Sequence, residues 1–454
     1  MNKNDIITLE ITGMTAEGNG VGRHQGIAVF VPFTAVGDVI DAKITKLAKS
    51  YSYGIIQNII TPSENRIQNS CSAFGKCGGC SFRHISYEAE LEIKDGFVRD
   101  AFKRIGKLDV SFKKILGCDS PENYRNKAQY PVSEQDGKAV CGFFSKRSHR
   151  VVPIERCALS PKIFSKITDL VSKKINELKI SCYNEEKNSG LLKHIYLRRG
   201  FHTGEIMVCF VVTKWCENEL APIVKALENS FPEIKSIVMN LNPEITNVIL
   251  GKKIRTLSGS DTISDFMCGN KIVLSPLSFY QVNTKQAERL YEIAGDFAGL
   301  SGNETVLDLY CGAGTIGLSM SVKAKKILGV EVIPEAVENA KSNAAKNGIS
   351  NAEFICGDAG TTAKILADSK EIPDVIIVDP PRKGCDRDNL NAMIKMNPKK
   401  IVMVSCDPAT AARDCAILCE NGYSAAQAQA VDMFPRTTHV ETVVLITRNG
   451  AGNA

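Results

Sequence analysis

Asp308, Glu331, Asp358, Asp379 and Cys406 each close a short apolar run in the last third of the chain. Carboxylates and a thiol at successive strand ends bind polar ligands, move protons and attack electrophilic carbon. In open parallel α/β sheets, ligands lie in the crevice beyond the carboxyl ends of the strands, so these corners locate an active site. The sulfur corner reads Ser405-Cys406-Asp407-Pro408 and leads into a helical stretch, Pro408–Glu420. A helix N-terminus favours thiolate, which makes Cys406 a candidate nucleophile, although many cysteines in α/β sheets only pack. Val378-Asp379-Pro380-Pro381-Arg382-Lys383-Gly384 holds Asp379 at a strand tip on consecutive prolines that lock an extended loop. Arg382 and Lys383 face either nucleic-acid phosphates or solvent. Downstream, His439 and Glu441 are the acid–base candidates.

The elements that must position these residues repeat a strand, turn and helix pattern. Expected strands at Thr305–Leu309, Lys326–Val330, Ala352–Ile355, Asp374–Val378 and Ile401–Val404 are each followed by a helical stretch, which is the doubly wound α/β signature. The first corner, Asp308-Leu309-Tyr310-Cys311-Gly312-Ala313-Gly314, lets a ligand approach the backbone where side chains are missing. Glu331, ending the second strand, is placed to accept two ribose hydroxyls. Dinucleotide enzymes share that acid but prefer Gly-x-Gly-x-x-Gly. Asp358 in the third corner is placed to meet an adenine edge.

The chain has 454 residues, 44% hydrophobic and 23% charged, with a net charge of +6, so two to four globular domains are expected. This charge permits nucleic acid without demanding it. No apolar run approaches the roughly 20 residues of a bilayer crossing, and Met1-Asn2-Lys3-Asn4-Asp5 lacks a signal-peptide core. A cytoplasmic protein that does not engage membranes is expected, acting as a monomer. Its sixteen cysteines then point to metal ligation, catalysis or burial rather than disulfides.

Residues 1–62 alternate apolar and polar residues between glycine turns, as a small β-barrel does, and Lys43, Lys46, Lys49, Tyr51 and Tyr53 mix cations with aromatics. An ordinary solvated face explains those residues equally well. Residues 63–277 mix strands and helices as an α+β region with basic runs at 124–127, 145–150 and 197–199, and residues 278–454 form the α/β unit. Between barrel and α+β region, Cys71-x5-Cys77-x2-Cys80 is set among Gly75, Gly78 and Gly79. Thiolates suit zinc or an iron–sulfur cluster, and a fourth ligand is required, with Cys118, Cys141 and Cys157 as candidates.

Several of these motifs resemble known families. Gly18-Asn19-Gly20-Val21-Gly22 followed by Phe30-Val31-Pro32-Phe33-Thr34 resembles the TRAM domain, an OB-like RNA-binding barrel, and the α/β corners resemble a class I S-adenosylmethionine-dependent methyltransferase. Ser278-Phe279-Tyr280-Gln281-Val282-Asn283, Ser405-Cys406-Asp407-Pro408-Ala409-Thr410 and Phe434–Glu441 resemble the RNA uracil-5-methyltransferases, in the branch acting on 23S ribosomal RNA. The resemblance implies Cys406 as nucleophile, Glu441 as base and a structural or orienting His439. It implies cofactor contacts from Gln281, Asp308, Tyr310, Gly312, Gly314, Glu331, Asp358 and Asp379, the last binding either the cofactor or the uracil. The context Ser148-His149 through Cys157 implies a [4Fe–4S] cluster on Cys71, Cys77, Cys80 and Cys157. Transfer RNA is the alternative substrate, and a non-catalytic iron–sulfur RNA-binding protein is the alternative of another class.

Overall fold

A computed structural model describes residues 1–369 and 372–450. Among these residues, the first sheet has six strands in the order Ile6–Glu10, Val39–Leu47, Tyr51–Thr61, Ile27–Pro32, Asn19–His24, Gly13–Met14. Its period-two pattern sends Ile7, Leu9, Ile40, Ala42 and Ile44 inward. The sheet curls into a half-barrel, and Thr12 N–H donates to Val21 O at 2.9 Å across the curl. The glycine-rich segment Asn19–His24 is a strand. Gly20 is required there because a Cβ would sit 1.9 Å from Thr34 Oγ1. Phe30, Tyr51 and Tyr53 cluster with ring centroids 5.6–5.7 Å apart.

The central sheet has seven strands in the order Val151–Pro153, Lys138–Phe144, Lys127–Gln135, Leu192–Arg199, Ile206–Val212, Ile234–Leu241, Lys253–Gly259. Ile206–Val212 pairs in parallel with Ile234–Leu241 through the helix Glu217–Ser230, while the other pairs are antiparallel. One face packs on the helices Lys162–Leu178 and Glu217–Ser230 through Leu197, Val208 and Phe210. Alternate residues of the same strands, Tyr196, Met207, Cys209 and Val211, share a core with Leu290, Tyr291, Val306 and Ile377. A single hydrophobic core therefore crosses the expected boundary at 277/278.

The third sheet has eight strands in the order Ala352–Cys356, Lys326–Glu331, Thr305–Leu309, Val375–Val378, Lys400–Ser405, Glu441–Arg448, Tyr423–Val431, Ser111–Phe112. Its first five strands are parallel, and the hairpin Tyr423–Val431/Glu441–Arg448 adds antiparallel pairing at one side. Strand order reverses between Thr305–Leu309 and Val375–Val378, which opens the ligand crevice there. The helix Tyr87–Ala101, with Phe102 beyond it, joins this sheet's core through Val98, Ala101 and Phe102, and Ser111–Phe112 extends its edge. Residues 87–112 thus pack with the α/β unit although the expected boundaries place them in the central segment. Among the described residues, no helix is long and apolar enough to cross a membrane.

Candidate active site

The crevice begins at the strand Thr305–Leu309. Asp308 is buried; its Oδ2 accepts the Gly317 N–H at 2.9 Å, while Oδ1 has no partner among the described residues. Burial, then the charges of Asp379 and Glu331, push its pKa up to about 7. An unpaired buried carboxylate oxygen waits for a donor, which a ligand can bring. Glu331 orders the glycine turn, accepting from Gly312 N–H at 3.0 Å and Ile333 N–H at 2.9 Å. Gly314 has φ +78°, and a Cβ there would come within 2.9 Å of the Phe354 ring. Tyr310 holds φ +62°, uncommon for a bulky residue, and its hydroxyl accepts from Asn389. Asp358 is exposed; its Oδ1 accepts the Thr361 N–H at 2.9 Å, which holds the carboxyl below its usual range.

Gln281 lies just before the helix Thr284–Ala298, whose Tyr291 hydroxyl is 3.2 Å from Thr315 Oγ1. Asn126 anchors this segment, donating its amide to Gln281 O at 2.7 Å and Thr284 Oγ1 at 2.9 Å. Neither Asn126 nor Tyr291 stood out in the sequence. Asn126 sits in a run read for its cations, and Tyr291 occupies an ordinary apolar position of the helix Thr284–Ala298.

The reacting groups meet where two strands pair. Lys400–Ser405 runs antiparallel to Glu441–Arg448 with Ser405 opposite Thr442, so Cys406 leaves one strand beside Glu441 entering the other. Asp379 follows Val375–Val378 on the neighbouring strand. Burial, then Glu441 and Asp379, push the half-buried Cys406 thiol up to about 11, with Arg382 opposing. Burial first and Asp379 second push Glu441 up to about 8, and burial pushes Asp379 up to about 7. The thiolate expected from the helix N-terminus is therefore not the favoured form of the isolated protein. Asp407 takes that terminus instead, accepting from Ala409 N–H at 2.9 Å and Thr410 N–H at 3.1 Å. His439 is pushed down by burial and then by Arg382, and its ring meets Phe434 edge-on at 6.0 Å. Arg382 and Lys383 are exposed at the crevice mouth.

Cys71, Cys77, Cys80 and Cys157 line one cavity of about 380 Å³, together with Phe74, Phe144, Arg83 and Arg125. Buried N–H groups of Arg83 (Nε, Nη1) and Arg125 (Nε) have no partner among the described residues. Cys118 instead contacts Asn283 and the Asp432 carbonyl, and Cys141 contacts Ser172. Among the described residues, no three His, Cys, Asp or Glu side chains are grouped to hold a single metal ion.

Strand order, acidic corners and glycine turn define an S-adenosylmethionine-dependent methyltransferase core. Residues 86–449 match the family profile described as tRNA (uracil-5-)-methyltransferase, and residues 2–56 match the TRAM domain. The chain belongs to this RNA uracil-5-methyltransferase family and carries its S-adenosylmethionine-dependent activity on RNA. It is similar to proteins named uncharacterized RNA methyltransferases. One from Clostridium tetani is 42% identical over 99% of this chain and 97% of its own length, and one from Bacillus cereus is 43% identical over 98% and 97%. Among solved structures, the Pyrococcus abyssi tRNA (uracil-54, C5)-methyltransferase in complex with S-adenosyl-L-homocysteine is similar at TM-score 0.77. It is 26% identical, over 97% of this chain and 100% of that one.

Proposed function

We propose that the protein methylates carbon 5 of a uridine in 23S ribosomal RNA through a covalent adduct on Cys406, with Glu441 as the base. The observation that carries the chemistry is the meeting of Cys406, Glu441 and Asp379 at the ends of three adjoining strands, beside the glycine turn and the unpaired oxygen of Asp308. Carbon 5 of uracil is too weak a nucleophile to take a methyl directly. Cys406 sulfur bonds to carbon 6, and the C5=C6 electron pair shifts to leave an enolate on O4. Bound S-adenosylmethionine supplies the activated methyl, together with a positive charge that favours the anionic forms of Asp379, Glu441 and Cys406. Carbon 5 takes the methyl as the methyl–sulfur bond breaks, with that bond's electrons remaining on the departing sulfur. Glu441 then removes the carbon-5 proton, the C–H pair re-forms the double bond, and Cys406 leaves carbon 6 as thiolate.

Asp308, Glu331, the Gly312–Gly314 turn and Tyr310 hold the cofactor in this reading, with Asp358 and Gln281 at its two ends. Asp379 faces the methyl or the uracil N3–H. His439 keeps its ring neutral against Phe434 and orients the loop.

The cysteine cavity takes a [4Fe–4S] cluster through Cys71, Cys77, Cys80 and Cys157. Support comes from four free thiols on one cavity and from unpartnered guanidinium N–H groups, which suit the net negative charge of a thiolate-ligated cluster. A zinc ion would need its sulfurs about 3.8 Å apart, from Zn–S bonds of about 2.3 Å. The described cysteines are not gathered to hold one ion.

The TRAM domain combined with the cysteine motif favours ribosomal RNA. Transfer RNA is the second reading, favoured by the substrate named for the Pyrococcus abyssi enzyme. The deciding measurement is chromatography of nucleosides from separated ribosomal and transfer RNA of a strain lacking the protein, complemented with wild type or Cys406→Ala. Loss of 5-methyluridine from large-subunit RNA, restored by wild type alone, is expected. Loss confined to transfer RNA would replace the substrate, and loss of 5-methylcytidine would replace the base.

A further inference from the structure

The connection from Asp432 to Val440 carries no helix or strand, yet it delivers Glu441 to the crevice. Five consecutive carbonyls at its start each accept a hydrogen bond from a residue far away in the chain. Asp432 O takes Gln286 Nε2 at 3.1 Å, Met433 O takes Asn283 Nδ2 at 3.1 Å, and Phe434 O takes Lys94 Nζ at 3.2 Å. Pro435 O takes the Tyr124 hydroxyl at 3.0 Å, and Arg436 O takes the Ser81 and Phe82 N–H groups at 2.8 and 3.2 Å.

Lys94 is the centre of this arrangement. It is fully buried in the helix Tyr87–Ala101, and its three ammonium protons meet Glu90 Oε1 at 2.7 Å, Asp432 Oδ1 at 2.7 Å and the Phe434 carbonyl. Glu90 in turn accepts the Arg436 N–H at 2.6 Å, and the Arg436 guanidinium lies 3.4 Å from its second oxygen. Asp432 Oδ2 accepts the Tyr87 hydroxyl at 2.8 Å. Two cations and two carboxylates thus form a neutral quartet, linked in the order Arg436, Glu90, Lys94, Asp432, that grips both ends of this stretch. Apolar packing would stabilise a loop as well as buried ion pairs do, whereas a directional charge network favours one geometry; here only Arg436 Nε among the buried side-chain atoms of the four has no partner among the described residues.

We propose that Lys94 is a positioning residue for methyl transfer: by locking the Asp432–Arg436 stretch it aims Glu441 at the carbon-5 proton. This rests on the reading of Glu441 as the base. The proton leaves only after the methyl has arrived, so a displaced Glu441 lets Cys406 add and the methyl transfer but slows elimination. Methylated RNA then stays bound to Cys406 through the C6–S bond. A displacement of about 1 Å lowers turnover on the order of 10²-fold.

The test uses the full-length protein with methyl-labelled S-adenosylmethionine and RNA, comparing wild type, Glu441→Gln, Lys94→Met and Asp432→Asn. Denaturing gels read the labelled covalent protein–RNA adduct, and steady-state kinetics read kcat and the RNA KM. Glu441→Gln and Lys94→Met are expected to accumulate adduct. For Lys94→Met, kcat falls on the order of 10²-fold while KM changes less than about threefold. Asp432→Asn, which keeps the Lys94–Glu90 pair, accumulates a smaller amount. If Glu441→Gln traps adduct while Lys94→Met and Asp432→Asn lose turnover without trapping, or lose none, the role of Lys94 is overturned and the base stands. If Glu441→Gln itself fails to trap, the base reading falls and this proposal with it. If neither network variant retains cofactor binding, the quartet is a folding requirement and the proposal is overturned.

Discussion

Replacing Glu441 by glutamine removes a carboxyl that the fold holds out of water beside a second acid. Its pKa of about 8 stands roughly 3.5 units above the ordinary 4.5. At about 1.4 kcal/mol per unit, this is up to about 5 kcal/mol of native stability forgone. The sign follows from the raised value. As pH climbs past about 4.5 the unfolded chain ionises this group while the native state keeps it protonated, so stability drains between about 4.5 and about 8 and is level above. Glutamine has no such drain. In thermal melts across pH 5 to 9, the variant is expected to match wild type at the acid end and to melt on the order of 5 °C higher above pH 8, while turnover is lost at the elimination step. Above about pH 8, where Glu441 is ionised, the same change removes a negative charge beside Cys406 and so lowers the thiol's pKa. Iodoacetamide should then label that cysteine faster at fixed pH, read by mass spectrometry of the Cys406 peptide. A difference in melting temperature that does not grow through the window, or a variant less stable at pH 8.5, would show that Glu441 does not sit in the desolvated, acid-flanked setting described.

Cys406→Ala should bind S-adenosylmethionine with unchanged affinity yet form no covalent adduct with RNA containing 5-fluorouridine; an adduct in that variant would move the nucleophile elsewhere. Gly314→Ala combines φ +78° with a Cβ 2.9 Å from Phe354. It should destabilise the fold by about 1–2 kcal/mol and weaken cofactor binding at least about tenfold by calorimetry, and an unaffected Kd would remove the turn from the site. Cys157→Ser should abolish the brown colour and iron content of protein purified without air, whereas Cys118→Ser and Cys141→Ser keep both; iron retained in the first variant would reassign the fourth ligand.

The sequence exposes the α/β unit well because each buried parallel strand is an apolar run that stops at an acid or cysteine. Asp308, Glu331, Asp379 and Cys406 fall at such stops, and the helix Pro408–Glu420 begins where its proline says. Other parts of the site depend on partners far away in the chain. Glu90 and Lys94 are spaced as an ordinary solvated i,i+4 pair, and nothing local says that Asp432 will bury them. The two-residue strand Ser111–Phe112 has no periodicity to read, so residues 87–112 look like part of the preceding segment. The charge state of Cys406 escapes the local rule because the fold half-buries the thiol, because two carboxylates arrive from other strands, and because the helix end it adjoins is already capped by the next residue.

The grip of Lys94 on Asp432 joins positions 338 apart in the chain, and Tyr87 reaches Asp432 across 345. The Lys94 ammonium therefore lacks its Asp432 partner until the segment leading into Glu441–Arg448 has been made and has docked. Such distant closure is slow and comes late in folding. A chain ending short of the hairpin lacks Glu441, the proposed proton acceptor for the target carbon. On the proposed role of Glu441, turnover therefore depends on a contact that the early helix and the late hairpin make only together.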